Sequence, residues 1–131
     1  MDPSALEKRT FKQGEHLFEE GESGTEAYLI QDGFVTIWRE QDGQKISLAT
    51  RGEGEIVGEM ALIDDTVRSA TVTAGSDVEA DVITRPVLVS ILDKAPPVLS
   101  TILHQLLESL RTSNDLLSMY AARINELQGK A

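Results

Sequence analysis

A chain of 131 residues with 40% hydrophobic content is long enough to bury one core, and a single domain over residues 1–131 is expected. Its formal charge of −10 gives no long-range attraction for nucleic-acid phosphates or an anionic membrane, so neither is expected as a partner of this chain alone. It has no cysteine, which removes disulfides, iron–sulfur clusters and thiolate metal sites.

The opening stretch MDPSALEKRT lacks the apolar run of a signal peptide, and nothing in the chain approaches the roughly 18 apolar residues of a membrane span. A cytoplasmic location is expected. Short β-rich runs then alternate with glycine turns: HLFEEGESG, AYLIQDG, FVTIWREQDG, KISLATRGEG, RSATVTAG and DVEADVI. Strands at this spacing, with Gln-Asp-Gly twice and Gly-Ser-Asp once as turns, predict an antiparallel β-roll or jelly roll over about residues 10–84. Most of the ten glycines read simply as turn residues. His16 and His104 lie far apart and neither has a second histidine at ligand spacing, so no metal site is expected.

Between two of these runs lies GEMALIDDTVRSATV, residues 58–72. Glu59 and Arg68 stand near its two ends, separated by an apolar run and by Asp64 and Asp65. A guanidinium matches two oxygens of a phosphate group, which makes Arg68 a candidate anion anchor. Met60 and Ala61, if they open one helical turn, would offer backbone N–H groups to the same anion, and the small Ala61 would let it approach. Gly58 permits an unusual backbone before that turn, and Ser69 adds a donor beside Arg68. The alternative is an incidental surface ion pair between Glu59 and Arg68. Asp64 and Asp65 read as a solvated turn, because no nucleophile, base or ligand set accompanies them.

After Arg85 the period lengthens. RPVLVSILDK predicts a short helix over 85–95, stopped by Ala95-Pro96-Pro97. A long helix follows over 97–128, with Gly129 and Lys130 as its stop. Leu99, Leu103, Leu106, Leu110, Ser113, Leu117, Tyr120, Ile124 and Leu127 form an a/d seam that only Ser113 interrupts. Ile102 and Leu107 widen the apolar face at its start. The seam could pack on the chain's own roll or on a partner helix. Its later half favours a two-fold partner, and hence a homodimer.

The order of parts resembles the cyclic-nucleotide-binding domain family. The resemblance runs from Phe11 to the last helix and rests on G-E-x-A-L-I-x-x-x-x-R-S-A-T at 58–71 together with L-F-x-E-G-x-x-G-x-x-x-Y-L-I-x-x-G-x-V-x-I at 17–37. It implies a receptor that binds a cyclic nucleotide without turning it over, and no cofactor besides that ligand. Arg68, Ser69, Met60 and Ala61 would meet the phosphate; Gly58 and Glu59 would meet the ribose, Glu59 accepting from the 2′-hydroxyl. Ile37 and Leu48 are either purine-lining or core.

Within the family, the chain is similar to the sensor domain of bacterial catabolite activator proteins, where a Thr-Ser pair on the dimerisation helix contacts the adenine amino group, the serine from the opposite subunit. Thr112 and Ser113 match that pair, while Arg111 and Asn114 read as solvated. The lean is to cAMP over cGMP, with Ser69 leaving the choice open; Val67 replaces a proline common in the family. The resemblance further implies signalling to a protein effector through movement of the long helix. Two alternatives are a dimeric interaction module that needs no ligand, and the sensor portion of a larger transcription regulator or effector. A cupin-like metal oxygenase would need clustered histidines.

Overall fold

The computed structural model describes residues 6–129 except 66, with side chains described at these positions except 111, 114–122 and 124–129. Eight strands come first: β1 Lys8–Phe11, β2 His16–Phe18, β3 Glu26–Asp32, β4 Val35–Gln41, β5 Gln44–Arg51, β6 Ile56–Val57, β7 Thr71–Ala74 and β8 Val78–Thr84. They form two four-stranded sheets, ordered β1-β8-β3-β6 and β2-β7-β4-β5, with every ladder antiparallel. This is the expected β-roll.

Alternation along the strands builds the core. Val78, Ala80 and Val82 of β8 point inward and join Tyr28, Ile30, Val35, Val57 and Val72 in one cluster drawn from both sheets. Ile30 and Val35 are fully buried, and truncating Ile30 to alanine should cost about 2–5 kcal/mol. On the other face of β8, the buried Asp81 carboxylate accepts from Lys8 Nζ at 3.1 Å and Gln31 Nε2 at 2.7 Å, which satisfies it away from solvent. The β4–β5 hairpin closes on Asp42 and Gly43 with φ of 54° and 77°, the two consecutive positive φ angles that let a tight turn follow strand twist.

Two strands were not anticipated. β1 has the sequence KRTF, too polar to show an alternating face, and it lies at a sheet edge, where charge is tolerated. β6 is only two residues long and is hidden among glycines.

The helices follow as expected: α1 spans Arg85–Lys94 and α2 spans Pro97–Gly129. Thr84 Oγ1 accepts from Val87 N at 3.3 Å, capping α1. Ser100 N donates to Pro96 O at 2.9 Å, which puts Pro97 in the first helical position, where a missing N–H costs nothing. The chain divides into two compact units, Met1–Ile91 and Leu92–Ala131. On α2, Leu99, Ile102, Leu106 and Leu110 are each about half exposed in the single chain, while Leu103 and Leu107 are half-buried. The seam's later side chains, Leu117, Tyr120, Ile124 and Leu127, lie outside the described residues, as do those of Arg111, Asn114 and Lys130. Among the described residues no helix is long and apolar enough to cross a membrane.

Candidate functional site

The segment between β6 and β7 begins at Gly58, whose φ of 76° turns the chain into a short 3₁₀ helix, Glu59–Leu62. A side chain would be strained there. Ala61 N donates to Gly58 O at 3.1 Å and so closes the first turn. The amides without an intrahelical acceptor are therefore those of Glu59 and Met60, which corrects the expectation that the Ala61 N–H is free. The Ala61 side chain is buried and Met60 half-buried.

Arg68 is buried, at 8% exposure. Its Nη2 donates to Glu26 O at 2.7 Å and its Nη1 to Gly58 O at 3.5 Å, and its Cζ stands 4.0 Å from the centroid of the Phe18 ring. Nε is buried with no hydrogen-bond partner among the described residues. Nor does any described carboxylate form an ion pair with Arg68. Glu59, by contrast, is exposed. The incidental Glu59–Arg68 surface pair is thus overturned: one member is buried and the two do not meet.

Burial pulls the Arg68 pKa below its ordinary value, because a charge removed from water is costly; the charges of Tyr28, Glu26 and Glu22 oppose this shift. A buried cation that forms no ion pair among the described residues, and whose Nε–H has no acceptor there, is an arrangement that an anion would relieve.

The upstream glycine motif forms the walls of this niche. Arg68 N donates to Glu22 O and Gly21 N to Arg68 O, both at 2.8 Å, and Ser23 bridges to Val67. A Cβ on Gly24 would stand 2.6 Å from Arg68 Cζ, and one on Gly58 would stand 2.7 Å from Nη1. These glycines leave room for the guanidinium, a role beyond turning. From sequence, only their fixed spacing signalled it.

Arg85 was missed altogether. Its Nε donates to Ala61 O at 3.0 Å, its Nη2 to Asp64 O at 2.6 Å, and its Nη1 pairs with Asp65 at 2.7 Å. The first residue of α1 thereby holds the C-terminal end of the 3₁₀ turn. Asp65 is not merely a solvated turn residue, although its carboxylate stays 88% exposed.

The structure gathers Gly58, Glu59, Met60, Ala61, Arg68 and Ser69 around one loop, with Ser69 exposed. Ile37 leans on the core cluster. Leu48 is the extra residue of a bulge, since Ile37 pairs with Ala49 and Trp38 with Ser47, and it is 48% exposed, so it is not core. Thr112 and Ser113 are exposed on α2, in the second compact unit. No group of three or more His, Asp or Glu arranged to hold a metal occurs among the described residues.

Comparison with known proteins agrees with this geometry. The family model described as cyclic nucleotide-binding domain matches residues 8–95, from the start of β1 to just past α1. The cyclic AMP receptor protein of Thermus thermophilus is 34% identical over 124 residues, covering 92% of this chain and 57% of that protein. The chain thus spans little more than half the length of that relative.

Among solved structures, the EAL enzyme Bd1971 in a half-site-occupied form aligns with a TM-score of 0.81 at 37% identity, covering 84% of this chain and 99% of the other. Its cAMP-bound form aligns at 0.63 with 34% identity and its cGMP-bound form at 0.64 with 33%, each covering 95% of this chain and 34% of that enzyme. With the match extending over both sheets, the Arg68 loop and α1, the chain belongs to the cyclic nucleotide-binding domain family.

Proposed function

We propose that this chain is a non-catalytic cyclic-nucleotide receptor, favouring cAMP over cGMP, in which Arg68 holds the cyclic phosphate. The observation that carries the reading is the buried guanidinium that forms no ion pair with a described carboxylate and whose Nε has no hydrogen-bond partner among the described residues. A cyclic phosphate has one negative charge and two free oxygens, enough to meet Nε and the open amides of Glu59 and Met60 together. Ala61 and Gly58 keep side-chain bulk away from that approach, and Ser69 adds a hydroxyl. Glu59, exposed and uncommitted, accepts from the ribose 2′-hydroxyl.

The purine lies toward the apolar side chains of Ile37 and Leu48. Thr112 of one subunit and Ser113 of the other meet its amino group in a homodimer formed through α2. The half-exposed leucines of α2 support such a pairing. The names of the relatives support both nucleotides as ligands: one is a cyclic AMP receptor, and the EAL enzyme has both cAMP-bound and cGMP-bound forms.

Arg85 supports a route for output, because it joins the anion loop to the start of α1. Occupancy changes what the helices present to a protein effector, or to further domains of a larger regulator, provided the two helix states differ in ligand affinity. Titration calorimetry with cAMP and cGMP tests the proposal. Micromolar or tighter binding is expected; no heat and no thermal stabilisation, in folded protein freed of carried-over nucleotide, would refute it.

A further inference from the structure

Arg68 has a counterpart for its charge that is not an acid. Phe18 lies under the guanidinium at 4.0 Å, and Tyr28 stacks on Phe18 with ring centroids 6.3 Å apart and planes 20° from parallel. Tyr28 is fixed in turn: Arg9 Nη1 donates to its hydroxyl at 3.1 Å, Arg9 Cζ stands 5.8 Å from its ring centroid, and Phe11 meets its ring edge-on at 5.7 Å. Phe18 also touches the other end of the anion loop, since a Cβ on Gly58 would lie 3.1 Å from its Cε2.

We propose that Phe18, braced by Tyr28, is a positioning residue that presents Arg68 to an anion without competing for it. The proposal rests on the receptor reading above. A guanidinium makes its hydrogen bonds at its edges and none from its faces. A carboxylate in the niche would neutralise Arg68 and occupy an edge that the ligand needs. An aromatic face stabilises the cation through the negative side of its quadrupole, worth more when water is excluded, and consumes no donor. The remaining edge contacts are neutral carbonyls, Glu26 O and Gly58 O, so the charge stays available.

The test uses the full chain and compares the parent with Phe18→Leu, which keeps apolar bulk but loses the face, and with Phe18→Tyr, which keeps the face. Calorimetry with cAMP should show about tenfold weaker binding for Phe18→Leu, and affinity within about threefold of the parent for Phe18→Tyr. In nucleotide-free protein, NMR of the Arg68 Nε–H should show an upfield ring-current shift in the parent and in Phe18→Tyr that disappears in Phe18→Leu. Folding of each variant is checked by circular dichroism.

Equal affinity of Phe18→Leu and a parent that binds would overturn the positioning role alone. Equal weakening in both variants would do the same, pointing to ordinary packing. A parent that binds neither cAMP nor cGMP would overturn the receptor reading, and this role with it.

Discussion

Gly24 and Arg68 compete for one space: a Cβ on Gly24 would stand 2.6 Å from the guanidinium carbon. Gly24 does not need a positive φ, so Gly24→Ala is a steric test free of backbone strain. It should push Arg68 out of register and weaken cAMP binding tenfold or more by calorimetry. Gly52→Ala is the control, because a Cβ there meets nothing closer than 3.9 Å and again no positive φ is involved. Its affinity should match the parent.

Arg85 holds the loop through two carbonyls and one exposed carboxylate, and these contacts are unequal. An ion pair in which Asp65 is 88% exposed is screened and worth under about 1 kcal/mol, whereas hydrogen bonds from a charged donor to half-buried carbonyls are worth roughly 1.5–3 kcal/mol each. Asp65→Asn should therefore change cAMP affinity less than about threefold, and Arg85→Ala about tenfold or more. Equal effects in a titration would show that the ion pair, not the carbonyl contacts, organises the loop.

Burial, helped by the Glu26 charge, raises the Tyr28 pKa above its ordinary value of about 10, against the opposing effects of Arg9 and Arg68. The folded value exceeds the unfolded one, so the contribution to stability is full below about pH 10 and is lost as pH rises through the folded value. The chain has two tyrosines, Tyr28 and Tyr120. Absorbance titration of phenolate should show one ionising later than a free phenol, and Tyr28→Phe should remove that late step and flatten the alkaline limb of the stability curve.

In the dimer proposed above, Thr112 and Ser113 are the residues assigned to adenine selection. Each hydroxyl lost from a contact costs about 0.5–1.5 kcal/mol, so alanine at both positions should lower the cAMP-to-cGMP affinity ratio by roughly tenfold, with phosphate binding retained. An unchanged ratio in parallel titrations would place base selection elsewhere.

Much of this was legible in the chain because period and punctuation carry it. Alternating runs between glycines marked most strands, and Pro96 and Pro97 marked the break between helices. β1 and β6 left little trace because one is a charged edge and the other is two residues long. At the site, the spacing of Gly58, Glu59 and Arg68 drew attention to the loop. The partners that make Arg68 a buried cation did not, since Phe18, Gly24 and the Glu26 carbonyl come to it from 42 to 50 residues upstream through strand pairing. A backbone carbonyl leaves no mark in a sequence. Arg85, 17 positions beyond Arg68, looked like any helix-opening residue until its three contacts were visible.

In the proposed receptor, Arg68 is kept buried and charged for an anion, at a cost to the free protein. Its folded pKa is depressed by burial, so folding disfavours the charged form, and that cost is present in full wherever the folded guanidinium is protonated. Arg68→Met removes the charge and keeps the length. The measurement is cAMP calorimetry on this variant beside the parent, with denaturant unfolding of both in the absence of nucleotide. Loss of roughly 2–5 kcal/mol of binding energy is expected, while in the free protein the relief of burying the charge offsets the lost carbonyl bonds, so stability falls by less than those bonds alone would cost. Undiminished cAMP binding by Arg68→Met would contradict the assignment of Arg68 as the phosphate anchor.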